Sequence, residues 1–214
     1  MPPSTTDPPG DAAAAPTLEK VTAAVLCGGR SSRFGSDKAL HEVAGRTLLQ
    51  RALDSLEPAA ERLLVGRAYT HVDARFIPDL RPGLGPMAGL EAALHAAGRD
   101  WVALCGCDLP CLTPAFWRLL CRHARPGRPV SVRAGAGDFE PLAALYPRSA
   151  LRAVAARLDD GRLDLQSLLA ELDAVAVPAA EVESACGRGV LRNVNRSEDV
   201  PAGADPCAEP GAGR

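Results

Sequence analysis

The run Leu26-Cys27-Gly28-Gly29-Arg30-Ser31-Ser32-Arg33-Phe34-Gly35-Ser36-Asp37-Lys38 combines paired glycines with well-separated cations. Such glycines let backbone N–H groups approach phosphate oxygens, and Arg33 and Lys38 can neutralise charge on a triphosphate. Five residues lie between Gly29 and Gly35, and Ser36-Asp37 separates Gly35 from Lys38. Both G-x-x-x-x-G-K-[ST] and G-x-G-x-x-G therefore fail, which speaks against a P-loop ATPase and a dinucleotide dehydrogenase. Gly28-Gly29 alone would fit an ordinary surface turn. Arg33 and Lys38 beside it favour an anion loop, and Lys20 is the only other lysine in the chain.

Two carboxylates, Asp79 after Phe76-Ile77-Pro78 and Asp108 after Trp101 to Cys107, stand just beyond strand-like segments. Either could cap its own turn; at strand ends, both could serve nucleotide and Mg²⁺ binding, since Mg²⁺ takes oxygen ligands and bridges phosphates. Between them, Gly85-Pro86-Met87-Ala88-Gly89 reads as a tight turn entering a helix whose first N–H groups face a ligand. Cys105, Cys107, Cys111 and Cys121 with His123 lack the paired C-x-x-C arms of a structural zinc site, and Cys105 and Cys107 read better as small residues ending a buried strand. Cys27 is expected to pack inside with its thiol idle. No G-x-S-x-G elbow accompanies the histidines, and Trp101 and Trp117 lie in apolar runs that suit a core.

Apolar runs at Val21–Cys27, Arg62–Val65, Phe76-Ile77, Trp101–Cys105, Pro129–Val132, Leu142–Tyr146, Val175–Val177 and Val190–Val194 read as strands. Helical spacing predicts helices around Leu48–Leu56, from Pro86 to Gly98, from Thr113-Pro114, and around Leu151–Leu158 and Leu165–Leu172. This alternation predicts an α/β domain, three layers deep, with a mainly parallel sheet and helices on both faces. Residues 136–180 read as an elaboration of that sheet. Residues 1–18 and 201–214, rich in Pro, Ala and Gly, are expected to be disordered tails around one domain at 19–200.

The 214 residues carry 24 Lys+Arg against 26 Asp+Glu, a net charge of -2, which lacks the basic footprint of a nucleic-acid binder. Seven cysteines, an odd set without a signal-peptide pattern, suggest a reducing cytoplasm, and no apolar run is long enough to span a membrane.

In their order, these blocks resemble the molybdenum cofactor guanylyltransferases, a family within the nucleoside-triphosphate transferases. The resemblance is carried by Leu26-Cys27-Gly28-Gly29 with Arg33-Phe34-Gly35 and Asp37-Lys38, Pro78-Asp79, Gly85 to Gly89, Cys107-Asp108-Leu109-Pro110, Pro141 to Tyr146, and Asn193-Val194-Asn195. It implies a Rossmann-like nucleotidyltransferase fold and transfer of GMP from Mg-GTP to molybdenum-molybdopterin. It also implies that Leu26, Cys27, Gly28, Gly29, Lys38, Asp79 and Asp108 bind the nucleotide and that Arg33, Lys38 and Asp108 act in catalysis. Asp108 would hold Mg²⁺, and Asn193 and Asn195 would face the pterin acceptor. Molybdoenzymes or their chaperones are the implied recipients.

Three positions depart from the family pattern. Cys27 replaces a usual Ala, Phe34 a frequent Met, and Gly66-Arg67 occupies a segment where an Asn often meets the nucleotide. A related molybdopterin cytidylyltransferase, another small-molecule nucleotidyltransferase, and a non-catalytic cofactor adaptor are the alternative readings.

Overall fold

The computed structural model describes residues 15–28, 37–133, 137–195, 199 and 205–207. In chain order the elements are β1 (Thr22–Leu26), β2 (Glu42–Val43), β3 (Arg46–Thr47), α1 (Leu48–Ser55), β4 (Glu61–Val65), β5 (Arg75–Ile77), α2 (Pro86–Ala96), β6 (Trp101–Gly106) and α3 (Pro114–His123). There follow β7 (Val130–Arg133), β8 (Phe139–Pro147), α4 (Leu151–Asp159), α5 (Leu165–Glu171), β9 (Val175–Pro178) and α6 (Ala179–Cys186).

Seven strands form one sheet in the order β5-β4-β1-β6-β8-β7-β9. The strands from β5 to β6 run parallel, whereas β8 is antiparallel to both β6 and β7, and β9 pairs parallel with β7. β1 and β6 lie at its centre and read as unbroken apolar runs because both of their faces are covered. Alternation assigns the faces: Ala23, Val25, Ala103 and Cys105 pack with residues of α1, α3 and α6, while Ala24, Val102 and Leu104 pack with α2, α4 and α5. The result is the expected three-layer α/β architecture.

Local chemistry sets the helix starts. Thr47 and Gln50 form a reciprocal capping box at α1, and Pro86 and Pro114 open α2 and α3, where a missing N–H costs no hydrogen bond. Trp117 and Trp101 are buried as expected, and Trp117 Nε1 donates to Ser55 Oγ at 3.1 Å.

Several elements differ from the sequence reading. The β2–β3 hairpin and α6 were not foreseen. Val190–Val194 is no strand: Val190 and Val194 are buried, but the backbone crosses the sheet's end, and Val194 N–H donates to the Asp108 carbonyl at 2.8 Å instead of joining a ladder. Leu18, placed in the expected N-terminal tail, is buried against the core. Cys207, in the expected C-terminal tail, forms a disulfide with Cys111, and Arg51 on α1 lies 3.3 Å from Asp205. The sequence reading names no such pairing. Among the described residues no helix is long and apolar enough to cross a membrane.

Candidate active site

The chain leaves β1, adds β4 and β5 on one side, and returns to place β6 on the other. This reversal of strand order opens a crevice beyond the carboxyl ends of β1 and β6, where open α/β sheets bind ligands. The crevice has a volume of ≈ 860 Å³ and gathers Leu26, Cys27, Gly28, Lys38, Asp79 and Asp108, separated by up to 82 residues in sequence. Gly29 and Arg33 lie outside the described residues.

Glycines let the walls close in. Gly66 has φ +95°, and a Cβ there would lie 3.0 Å from the Cys27 carbonyl oxygen, so the exit of β4 runs against the Cys27-Gly28 backbone. A Cβ on Gly89 would meet Leu26 Cδ2 at 2.9 Å, which is how the first turns of α2 reach the crevice. At Gly106 a Cβ would stand 2.5 Å from Asp108 Oδ1, so only glycine leaves that carboxylate its position.

Lys38 Nζ lies 3.9 Å from Asp108 Oδ2 and donates to Asn195 Oδ1 at 3.4 Å. Asp108 Oδ1 is buried and has no hydrogen-bond partner among the described residues. An anionic oxygen withdrawn from water without a donor is costly, and a hard divalent cation is the ligand that suits it. Burial raises the Asp79 carboxyl above its ordinary range. Asn193 and Asn195, expected on the acceptor side, sit on the segment that Val194 ties to the Asp108 carbonyl.

Two groups escaped the sequence reading. Glu140, on β8, hydrogen-bonds Asn193, and its carboxyl is pushed up first by burial and then by the charge on Asp108. The remaining signal was its place just ahead of Pro141-Leu142. Tyr69 donates its hydroxyl to Asp37 Oδ1 and Oδ2 at 3.0 and 2.8 Å, while Arg67 Nη1 lies 3.0 Å from Asp37 Oδ2. Asp37 also accepts from Ala39 N–H at 3.2 Å. Asp37 thus couples the segment after β4 to the turn that presents Lys38.

Cys105, Cys107, Cys111, Cys121 and His123 do not gather into a metal site among the described residues. Cys111 is bridged to Cys207, and His123 Nε2 lies 2.8 Å from Glu181 Oε1. Among the described residues no group of three or more His, Cys, Asp or Glu side chains could hold a metal ion.

An open sheet with this crevice, a cation and a carboxylate at its switch point is an arrangement that suits a nucleoside triphosphate, and the family match assigns the chain to the nucleoside-triphosphate transferases. The family profile of the MobA-like NTP transferase domain matches residues 23–175, and the chain belongs to that family. A probable molybdenum cofactor guanylyltransferase of Deinococcus radiodurans is 39% identical over 186 residues, covering 84% of this chain and 92% of that protein. Its counterpart in Opitutus terrae is 38% identical over 190 residues, covering 82% and 91%. Among solved structures, the fold is shared with molybdopterin-guanine dinucleotide biosynthesis protein A of Archaeoglobus fulgidus, at a TM-score of 0.70, 24% identity and coverage of 83% and 94%.

Proposed function

We propose that this protein transfers GMP from Mg-GTP to molybdenum-molybdopterin, yielding the guanine dinucleotide cofactor and pyrophosphate. One observation carries the reading: Lys38 lies between Asp108 Oδ2 and Asn195 at the sheet's switch point, while Asp108 Oδ1 has no hydrogen-bond partner among the described residues. The names of the relatives supply the substrates.

The acceptor's terminal phosphate is ionised near neutral pH, so its attack on the α-phosphorus needs alignment and charge neutralisation more than a strong base. The Cys27-Gly28 backbone and the α2 N-terminus bind the nucleotide, and Asp79 holds it within the same crevice. Lys38 neutralises its phosphates, joined by Arg33. Asn193 and Asn195 orient the acceptor phosphate. Asp108 would hold Mg²⁺ through Oδ1, and the bound ion supplies charge neutralisation on the triphosphate and the departing pyrophosphate. The product passes to molybdoenzymes or their chaperones in the cytoplasm, although the Cys111–Cys207 disulfide is a feature more at home in an oxidising setting.

The test offers purified protein molybdenum-molybdopterin with Mg-GTP or Mg-CTP. Pyrophosphate release with GTP is expected. Release with CTP alone would replace this reading with a cytidylyltransferase.

A further inference from the structure

Cys27 and Cys107 each stand one residue past the ends of neighbouring parallel strands, whose register includes Val25↔Cys105 and Leu26↔Gly106. Extending that register sets Cys27 beside Cys107, on the face that Val25 and Cys105 already share. The structure bears this out: the sulfurs lie 3.4 Å apart, and Cys107 Sγ donates to the Leu26 carbonyl at 3.6 Å. Neighbouring strands run about 4.8 Å apart, inside the roughly 4.4–6.8 Å between Cα atoms that a disulfide spans. Bond formation therefore keeps the strands paired but must draw the sulfurs from 3.4 Å to about 2.05 Å, a pull that passes to the residues just beyond the strand ends.

Both residues line the crevice. Cys27 is followed by Gly28 of the nucleotide loop, and Cys107 by Asp108. The contact with Cys107, reinforced by burial, pushes the Cys27 thiol well above its ordinary range. Proximity speeds only the second, intramolecular exchange; the first attack on the reagent falls to Cys107, 9% exposed against 2% for Cys27.

We propose that Cys27 and Cys107 are a dithiol modification site in the floor of the crevice, closed to a disulfide by exchange with a low-molecular-weight disulfide, and that closure blocks nucleotide binding. One cysteine attacks the reagent disulfide, forming a mixed disulfide and releasing one reagent thiol. The second cysteine attacks the protein sulfur of that mixed disulfide and releases the other reagent thiol. The two cysteine protons end on the two released thiols, the cysteine pair is oxidised by two electrons, and the reagent disulfide is reduced by the same two.

Closure acts on binding through the backbone. Cys27 N–H is bonded to the Val65 carbonyl at 2.8 Å, and Gly66 is packed against the Cys27 carbonyl, so drawing Cys27 toward Cys107 strains the wall that carries Gly28. The same pull displaces Asp108, and a shift of about 1 Å in such a site can cost about 100-fold.

The nucleotide part of this inference rests on the proposed function; the cross-link itself does not. Full-length protein is reduced with dithiothreitol, freed of it, and treated with oxidised glutathione. Peptide mass analysis then locates disulfides, and calorimetry measures Mg-GTP binding. A Cys27–Cys107 cross-linked peptide is expected, with affinity about tenfold weaker or worse, restored by dithiothreitol. Cys27→Ala and Cys107→Ser, each compared with its own untreated affinity, should lose the response. The double variant Cys111→Ser/Cys207→Ser should keep it.

Free, alkylatable thiols at both positions after treatment, or a cross-link that leaves Mg-GTP affinity unchanged, would overturn the proposal. Untreated protein that takes up no Mg-GTP would refute the nucleotide reading instead, and the peptide analysis would still decide the thiol pair.

Discussion

Lys38 sits where the kind of cation matters as well as its sign. Its ammonium lies between Asp108 Oδ2, 3.9 Å away, and Asn195 Oδ1, 3.4 Å away, with only 22% of the side chain exposed. A guanidinium is wider and planar, and it cannot occupy that space without displacing one of those oxygens. Lys38→Arg is expected to lower turnover by about 100-fold while leaving the melting temperature nearly unchanged. Steady-state pyrophosphate release checks this, and near-wild-type turnover would refute it. Lys38, Asp79 and Asp108 were legible in the sequence because each follows a recognisable strand or precedes a helix. Glu140 and Tyr69 were not. Tyr69 reaches Asp37 across 32 residues, and Glu140 meets Asn193 from a distant part of the sequence, contacts that no local spacing announces.

Glu61, at the start of β4, is where several elements are joined. Its Oε2 accepts from Thr22 Oγ1 on β1 at 2.8 Å and from Gly98 N–H just past α2 at 2.8 Å, and its Oε1 accepts from Arg75 on β5 at 2.7 Å. Burial alone would raise this carboxyl, but the donors from Gly98, Arg75 and Thr22 outweigh it and hold it below its ordinary value of 4.5. A folded-state value below the unfolded one means that the stabilisation is present above the ordinary value and is lost as pH falls through the lower, folded one. Glu61→Gln should therefore lower the melting temperature by roughly 2–4 °C at neutral pH. The gap to wild type should narrow on acidification below pH 4.5, the carboxyl's ordinary value. Thermal melts across that range decide it, and a gap independent of pH would show that charge is not what joins these elements.

At this scale the sequence foretold β1 and β4 to β9 as apolar runs and the five helices α1 to α5 from an apolar period or a proline start. It missed the two-residue strands β2 and β3, too short to carry a period, and α6, where only Val182 is buried. Val190 and Val194 read as strand residues because burial and β-branching look the same in a ladder and in a strap that crosses its end.

Across the whole molecule, the Cys111–Cys207 disulfide joins residues 96 apart and fastens the end of the chain near the exit of β6. Closing a loop of that length can stabilise a fold by about 4 kcal/mol. Cys207→Ser should lower the melting temperature by roughly 10 °C under non-oxidising handling without reductant, and the difference from wild type should vanish in excess dithiothreitol. Equal melting temperatures without reductant would exclude a stabilising bridge. An odd number of cysteines gave no hint of this pairing, because the return of residues 205–207 to α1 depends on the Asp205–Arg51 contact, which is visible only once the sheet is assembled.

That return also orders events during synthesis. Chains emerge N-terminus first, and domains begin to fold as they do. A nascent chain that has completed the sheet through β9 already holds Lys38 and Asp108, yet it lacks Asn195 and the Val194 N–H that donates to the Asp108 carbonyl. Residues 193–195, which reach Lys38 and Asp108 from beside the crevice, thus leave the ribosome after every residue that lines it, so the segment assigned to the acceptor is added only after the nucleotide side has been built.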